Sequence, residues 1–119
     1  MSKIAPLKDF GIPVPSPAPP STDHLIVYYG PHPLTPSYSQ AARIDVGPVS
    51  GLTVKNNSAG VACYDDPISS ELPAGLSGSY DFVFTLESAS GNEGDFSPAI
   101  TVDIDTTVPP TLGQPVQLG

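Results

Sequence analysis

Residues 80–87 read YDFVFTLE, and their apolar and polar side chains alternate with a period of two. Successive side chains of a β-strand point to opposite faces, so this pattern predicts a strand that buries one face. Residues 100–105, ITVDID, alternate in the same way after the turn-rich stretch at 88–98. We therefore predict that the two segments pair as a hairpin. The residues predicted to lie inside are Tyr80, Phe82, Phe84, Leu86, Ile100, Val102, Ile104, Ile44 and Leu52.

Shorter strand signals precede this hairpin. Runs of β-branched, aromatic and other apolar residues occur at 24–29, 41–46, 51–55 and 60–64, and each closes on Gly, Pro, Asn or Asp. Their close spacing is typical of a meander, and no segment has the periodicity of a helix of meaningful length. The sequence therefore predicts an all-β protein with one β-sandwich over residues 22–107.

Prolines separate this domain from the two ends of the chain. Nine of the 16 prolines lie in the first 36 residues, densest in PVPSPAPPS at 13–21. Proline fixes φ and removes a backbone donor, so we predict an extended, proline-rich N-terminal arm over residues 1–21. Residues 108–119 carry further prolines and are predicted to leave the domain as an extended C-terminal tail.

Size and charge narrow the classes of function. With 119 residues the chain suits one domain, and no stretch is apolar enough to span a bilayer. The formal net charge is −8, and residues 56–119 carry nine acids and no base. An acidic field repels phosphate, so we expect neither nucleic acid nor a membrane as partner. The first ten residues lack the apolar run of a secretory signal, so we expect the chain to stay where it is made.

Catalytic and metal-binding patterns are weak. His24 and His32 stand outside any Ser-His-Asp or Cys-His arrangement, and Cys63 has no basic neighbour that would activate its thiol. Asp103 and Asp105 on the last strand and the acidic loops at 65–66 and 93–95 have oxygen ligands suited to Ca²⁺. The signal is weak, because outward-facing carboxylates on a half-buried strand are more simply its solvated face. We therefore predict no enzymatic activity, no cofactor and no essential metal.

Residues 76–110 resemble the last two strands of a fibronectin type III or related immunoglobulin-like domain. Leu76 to Tyr80 resembles the family's tyrosine corner, in which a Tyr hydroxyl bonds back to the preceding connection. The polar turn at 91–93, the Ser97-Pro98 entry to an alternating strand and the exit at Pro109 follow in the family's order. The resemblance implies an immunoglobulin-like sandwich in which Tyr80 bonds a carbonyl at 74–78, with Phe82 and Phe84 beside it as structural residues.

A compact β module flanked by proline-rich arms is also similar to the small immunoglobulin-like proteins that decorate tailed-phage capsids. This similarity implies a virion structural protein on the capsid surface, made in the host cytoplasm. Its partners would be the major capsid protein, another virion protein or neighbouring copies of the chain. The residues expected to bind these partners are the apolar ones of the arm, Ile4, Leu7, Phe10, Ile12 and Val14.

Two other functions remain open. One is that of a tail or baseplate accessory protein, which the sequence does not distinguish from a head protein. A carbohydrate-binding or spacer module of a bacterial surface protein uses the same fold, and glycan binding would draw on exposed aromatics, for which Tyr28, Tyr29, Tyr38 and Tyr64 are available.

Overall fold

The structure, a computed structural model, describes residues 9–34, 41–73, 76–105 and 111–118. Its regular structure is almost entirely β-strand. The helical content of the described residues is limited to two single 3-10 turns, at Val49–Gly51 and Ile68–Ser70. The all-β prediction is confirmed.

Seven strands form two antiparallel sheets. They are β1 (Phe10–Pro13), β2 (His24–Pro31), β3 (Ala42–Pro48), β4 (Thr53–Asn56), β5 (Ala62–Asp66), β6 (Ser77–Glu87) and β7 (Ile100–Asp105). The three-stranded sheet has the order β1-β5-β4, and the four-stranded sheet has the order β3-β2-β6-β7. The predicted hairpin is confirmed, since β6 and β7 pair with Tyr80 opposite Val102.

The predicted meander is wrong at the step from β3 to β4, because these two strands belong to different sheets. Val49, in the turn between them, is buried and its N–H donates to the carbonyl of Asp23 at 2.8 Å. This contact anchors the chain where it changes sheets. Local strand signals contain no information on such a change, because it depends on contacts distant in sequence.

The first strand lies inside the segment that the sequence assigned to the N-terminal arm. β1 pairs with β5 in the register Phe10 opposite Asp66 and Ile12 opposite Tyr64. Sheet structure thus begins at Phe10 and not at residue 22. The proline-rich run misled the prediction because Pro13 closes this short strand at a sheet edge, a position where proline is tolerated.

Aromatic rings from both sheets meet in the core. The ring of Phe10 packs edge-on against Phe82 and Phe84, with centroid distances of 5.0 and 5.7 Å. On its other side Phe82 stacks against Tyr29 at 5.8 Å. Leu25, Val27, Ile68 and Ile104 complete the buried cluster. The two sheets are therefore held together by one hydrophobic core.

Most of the predicted inward residues contact this core, and one does not. Phe82, Phe84 and Ile104 are buried, whereas Tyr80, Leu86, Val102, Ile44 and Leu52 are partly buried against the cluster. Ile100 is 46% exposed, so its predicted burial is wrong. The residue has the correct parity, but it begins the edge strand β7, where the sheet has no further neighbour to cover it.

The outward face of the four-stranded sheet is also partly buried. Ile26 and Val83 have no exposed surface, and Thr85 is only 4% exposed. Residues 93–97 run beside the end of β6, where the N–H of Ser97 donates to the Phe84 carbonyl at 2.8 Å. Phe96 from this segment packs edge-on against Tyr28, which lies directly opposite Val83. A period-two pattern cannot reveal this second layer, since the covering residues come from a loop.

Candidate interaction surfaces

The N-terminal residues predicted to bind a partner have different positions in the structure. Ile4 and Leu7 lie outside the described residues. Phe10 is only 9% exposed within the core, so its ring is not available to a partner in this fold. Ile12 and Val14 are half-buried, and the N–H of Val14 donates to the Ala62 carbonyl at 3.0 Å. Residues 10–14 of the predicted arm thus pair with the chain's own domain.

A groove opens between the two sheets next to β1. It has a volume of about 300 Å³. Ile12, Pro13 and Pro15 line one side, and Phe84, Leu86 and residues 94–97 line the other. We call this feature the edge groove. Its lining is mainly apolar, which is typical of sites that accept apolar side chains.

Prolines restrict strand addition along the same edge. The N–H of Val14 points toward β5, so the neighbouring positions Pro13 and Pro15 face the free side of β1. Proline has no N–H, and a sheet edge that carries it offers few donors to an added strand. A ligand in the edge groove would therefore bind chiefly through its side chains.

The C-terminal segment, residues 111–118, has no regular secondary structure and is exposed throughout. Its sequence TLGQPVQL has no charged residue. The exposed fractions of Leu112, Val116 and Leu118 are 92%, 79% and 95%. We call this segment the C-terminal tail. Large apolar side chains that are this exposed and this close together are suited to contact with a partner surface.

A polar cluster lies on the outer face of the four-stranded sheet. The Arg43 guanidinium contacts Glu87 at 2.8 Å and Glu93 at 2.7 Å. The hydroxyl of Tyr28 donates to Glu93, and the guanidinium carbon of Arg43 lies 5.9 Å from the Tyr28 ring centroid. The sequence pointed to Tyr28 and to the acidic loop that contains Glu93, but not to their contact with Arg43 and Glu87, because these residues meet only when four separate segments come together. The charged groups of the cluster pair with one another across the sheet, and these structural contacts account for the cluster.

Asp81 joins three segments at the other end of the same face. Its carboxylate accepts hydrogen bonds from Thr101 Oγ1 at 2.5 Å and from the backbone N–H of Leu34 at 2.9 Å. Nδ1 of His32 lies 2.9 Å from the same group. The hydroxyl of Thr101, the backbone donor and then the His32 ring hold the pKa of Asp81 below its ordinary value.

We expect Asp81→Ala to lower the free energy of unfolding at pH 7 by about 1.5–3 kcal/mol, because hydrogen bonds to a charged acceptor are lost. The depressed pKa makes this contribution present above the unfolded-state pKa, and it is lost as pH falls through the lower folded-state pKa. Urea unfolding at pH 7 and pH 3 measures both effects. A loss below about 0.5 kcal/mol at pH 7 would show that the site is dispensable.

Asp66 is a carboxyl group inside the core. It has no exposed surface, and no donor among the described residues reaches either oxygen. Oε1 of Glu71, which follows the 3-10 turn, is likewise buried without a donor. Burial first, and then the hydrogen bond and charge of Glu71, raise the pKa of Asp66 to about 8. With this pKa the Asp66 carboxyl is mainly protonated, and therefore uncharged, at neutral pH.

The remaining candidates from the sequence have ordinary structural contacts. Nδ1 of His24 pairs with Asp45 at 2.9 Å, and Cys63 is buried against Gly11. Lys55 pairs with Asp65, and Ser79 donates to Asp103. Among the described residues, no group of three or more His, Cys, Asp or Glu side chains is placed to hold a metal ion. No helix in the same ranges is long and apolar enough to cross a membrane.

The tyrosines that the sequence analysis named have different positions in the structure. Tyr80 is half-buried with its ring 6.4 Å from that of Tyr29. Residues 74 and 75 of the predicted acceptor region lie outside the described ranges, so the tyrosine-corner hydrogen bond of Tyr80 stays a prediction. Tyr29 and Tyr64 are buried, so neither is available to a glycan. Tyr38 lies outside the described residues.

Comparison with protein-family models, with curated proteins and with solved structures finds no match for this chain.

Proposed function

We propose that the two sheets form an immunoglobulin-like β-sandwich. The support is the strand order, β1-β5-β4 in one sheet and β3-β2-β6-β7 in the other. Read in chain order, these match strands B-E-D and C′-C-F-G of the immunoglobulin arrangement, in which sheet ABED packs on sheet CFG with C′ added. Strand A has no counterpart among the described residues. Under this assignment the hairpin of β6 and β7 corresponds to strands F and G.

The function that this architecture supports best is that of a non-enzymatic structural module, attached to a larger assembly by segments outside the sandwich. The observation that carries the proposal is the C-terminal tail, which displays three large apolar side chains to solvent. Such exposure is costly for an isolated monomer and useful for a chain that binds a partner. Immunoglobulin-like sandwiches host many functions, so the fold alone does not indicate this role, and the segments outside the sandwich do.

The assembly that we propose is a virion, with the chain on the outside of a tailed-phage head. The net charge of −8 suits an outward surface that does not contact packaged nucleic acid. The chain attaches through its N-terminal arm, but with fewer residues than the sequence predicted. Phe10 belongs to the core, so the apolar side chains left for a capsid partner are Ile4 and Leu7, together with the exposed parts of Ile12 and Val14.

A tail or baseplate location remains the nearest alternative. The glycan-binding alternative is weakened by specific observations: Tyr29 and Tyr64 are buried, and Phe96 meets Tyr28 edge-on at 90°, which does not form a flat aromatic platform. Stacking against a sugar ring requires such a platform.

The test is to locate the chain in particles. Particles from cells that produce the protein are banded on a density gradient and labelled with gold-conjugated antibody against the sandwich. We expect the chain in the particle band and gold on the heads. Gold on the tails would favour the alternative location, and a chain confined to the soluble fraction would overturn the virion proposal.

The same particles test the narrowed arm. Ile4→Ser combined with Leu7→Ser is expected to lower the occupancy of particles assembled without the native chain by about tenfold or more, since buried apolar anchors dominate most interfaces. The matched control is Ser2→Ala combined with Pro6→Ala, which changes neighbouring positions and keeps the anchors. Equal occupancy for the two variants would remove the N-terminal arm from attachment.

A further inference from the structure

We propose that the C-terminal tail of one copy binds in the edge groove of a second copy, which makes the protein self-associate head to tail. The groove is an apolar cavity of about 300 Å³ between the sheets, and the tail carries the exposed apolar side chains of Leu112, Val116 and Leu118. The inference does not depend on the assembly in which the chain acts.

The spacing of the tail residues suits one-sided binding. In an extended segment the even positions share a face, so Leu112, Val116 and Leu118 point together and away from Thr111, Pro115 and Gln117. The groove is lined by side chains of similar character, Ile12 and Leu86 among them. Because Pro13 and Pro15 face the free edge of β1, the tail binds by inserting side chains and not as an added strand.

Charge also favours a copy of this chain as the occupant. The whole chain carries −8, and an acidic segment would be repelled from the groove, where Asp95 is a lining residue. The tail has no charged side chain over residues 111–118, so it approaches the acidic body without that repulsion.

The path of the chain disfavours the tail's own groove. β7 runs antiparallel to β6 and ends with Asp105 opposite Ser77, whereas the groove lies beside Phe84 and Leu86. The distance along β6 is roughly 23–30 Å, and the seven residues from Asp105 to Leu112 span at most about 24 Å. The chain would have to turn back fully taut to place Leu112 there, and a less taut path would bring only Val116 and Leu118 to the groove. A second copy has no such constraint.

The dimensions agree with an extended chain. The Cα radius of gyration is 18.2 Å, whereas a compact chain of this length would have about 13.5 Å.

Each copy has one tail and one groove, so the contact is heterologous and continues from copy to copy unless it closes into a ring. We expect association that grows with concentration and has no fixed dimer endpoint.

The first measurement is sedimentation equilibrium of the full chain over a wide range of concentrations. The triple variant Leu112→Ser, Val116→Ser, Leu118→Ser is expected to weaken association by at least about tenfold. The matched control, Thr111→Ser with Gln117→Ser, changes the opposite face of the tail and is expected to associate like the native chain. Pro15→Asp places a charge at the exposed rim of the groove and is expected to weaken association to the same extent as the triple variant.

Complementation separates this proposal from other modes of association. An equimolar mixture of the triple serine variant and Pro15→Asp has one intact tail and one intact groove between the two chains, so it is expected to form heterodimers and stop there. A native chain that stays monomeric at millimolar concentration would overturn the proposal. So would an associating triple variant, or a mixture of the two variants that fails to pair while both remain folded by circular dichroism.

Discussion

Phe82→Ala is expected to lower the free energy of unfolding by about 3–5 kcal/mol, the range typical of a fully buried phenylalanine. Phe82 has no exposed surface. Its ring packs against Phe10 from the three-stranded sheet and stacks against Tyr29 from its own sheet, at 5.0 and 5.8 Å. The substitution removes contacts on both sides and leaves a cavity between the sheets. Urea unfolding followed by circular dichroism gives the difference, and an unchanged m-value would show that the unfolding reaction is the same.

Ile100→Ala is the matched control for this prediction. Ile100 lies directly opposite Phe82 across the β6–β7 pair, and the alternation of its strand assigns it to the same face. Because its side chain is 46% exposed, we expect a loss of no more than about 1 kcal/mol. Equal losses at the two positions would contradict the burial that the structure assigns to this hairpin.

The second large effect is a loss of stability as pH rises from about 4 to 8. The pKa of Asp66 is about 8 in the folded protein and about 3.9 in an unfolded chain. Between these values the folded state binds more protons than the unfolded state, so the free energy of unfolding decreases with increasing pH. At about 1.4 kcal/mol per pKa unit, a difference of about four units gives the loss an upper limit near 6 kcal/mol. Glu71, Asp9 and Asp65, the charged groups that act on Asp66, all raise its pKa.

Asp66→Asn isolates this contribution, because an amide has nearly the shape of the protonated acid and cannot ionise. We expect the variant to be more stable than the native chain at pH 8 and to show a flatter profile between pH 4 and 8. Urea unfolding at intervals of one pH unit measures both. Asp81 contributes in the opposite direction and below this window, since its pKa is depressed. A native profile that is flat from pH 4 to 8 would show that Asp66 is not buried as the structure describes.

The candidate surfaces divide according to how far apart in sequence their parts lie. The C-terminal tail could be located from composition alone, because an uncharged, proline-containing segment after the last strand is recognisable as lying outside the folded domain. The edge groove could not, because Ile12, Phe84 and Phe96 become neighbours only when β1 packs across β6. The Asp66–Glu71 pair was missed for a related reason. Asp66 lies in a stretch that the sequence assigned to a loop, whereas the structure places it at the end of β5, opposite Phe10 of a strand that is distant in sequence.

What local patterning determined was strand identity: β2 to β7 each correspond to a predicted run, because the period of two and the bounding turn residues are encoded within a few positions. The assignment of each strand to a sheet, the burial of Phe10 and the exposure of Ile100 were decided only by the tertiary structure. Phe10 follows nine residues with two lysines and precedes a proline run, so nothing nearby marks it as a core residue. Its place follows from pairing with β5, more than fifty residues later, and from the space that Phe82 and Phe84 leave between the sheets. Burial is a property of packing partners, and a strand pattern specifies which side chains share a face but not what covers that face.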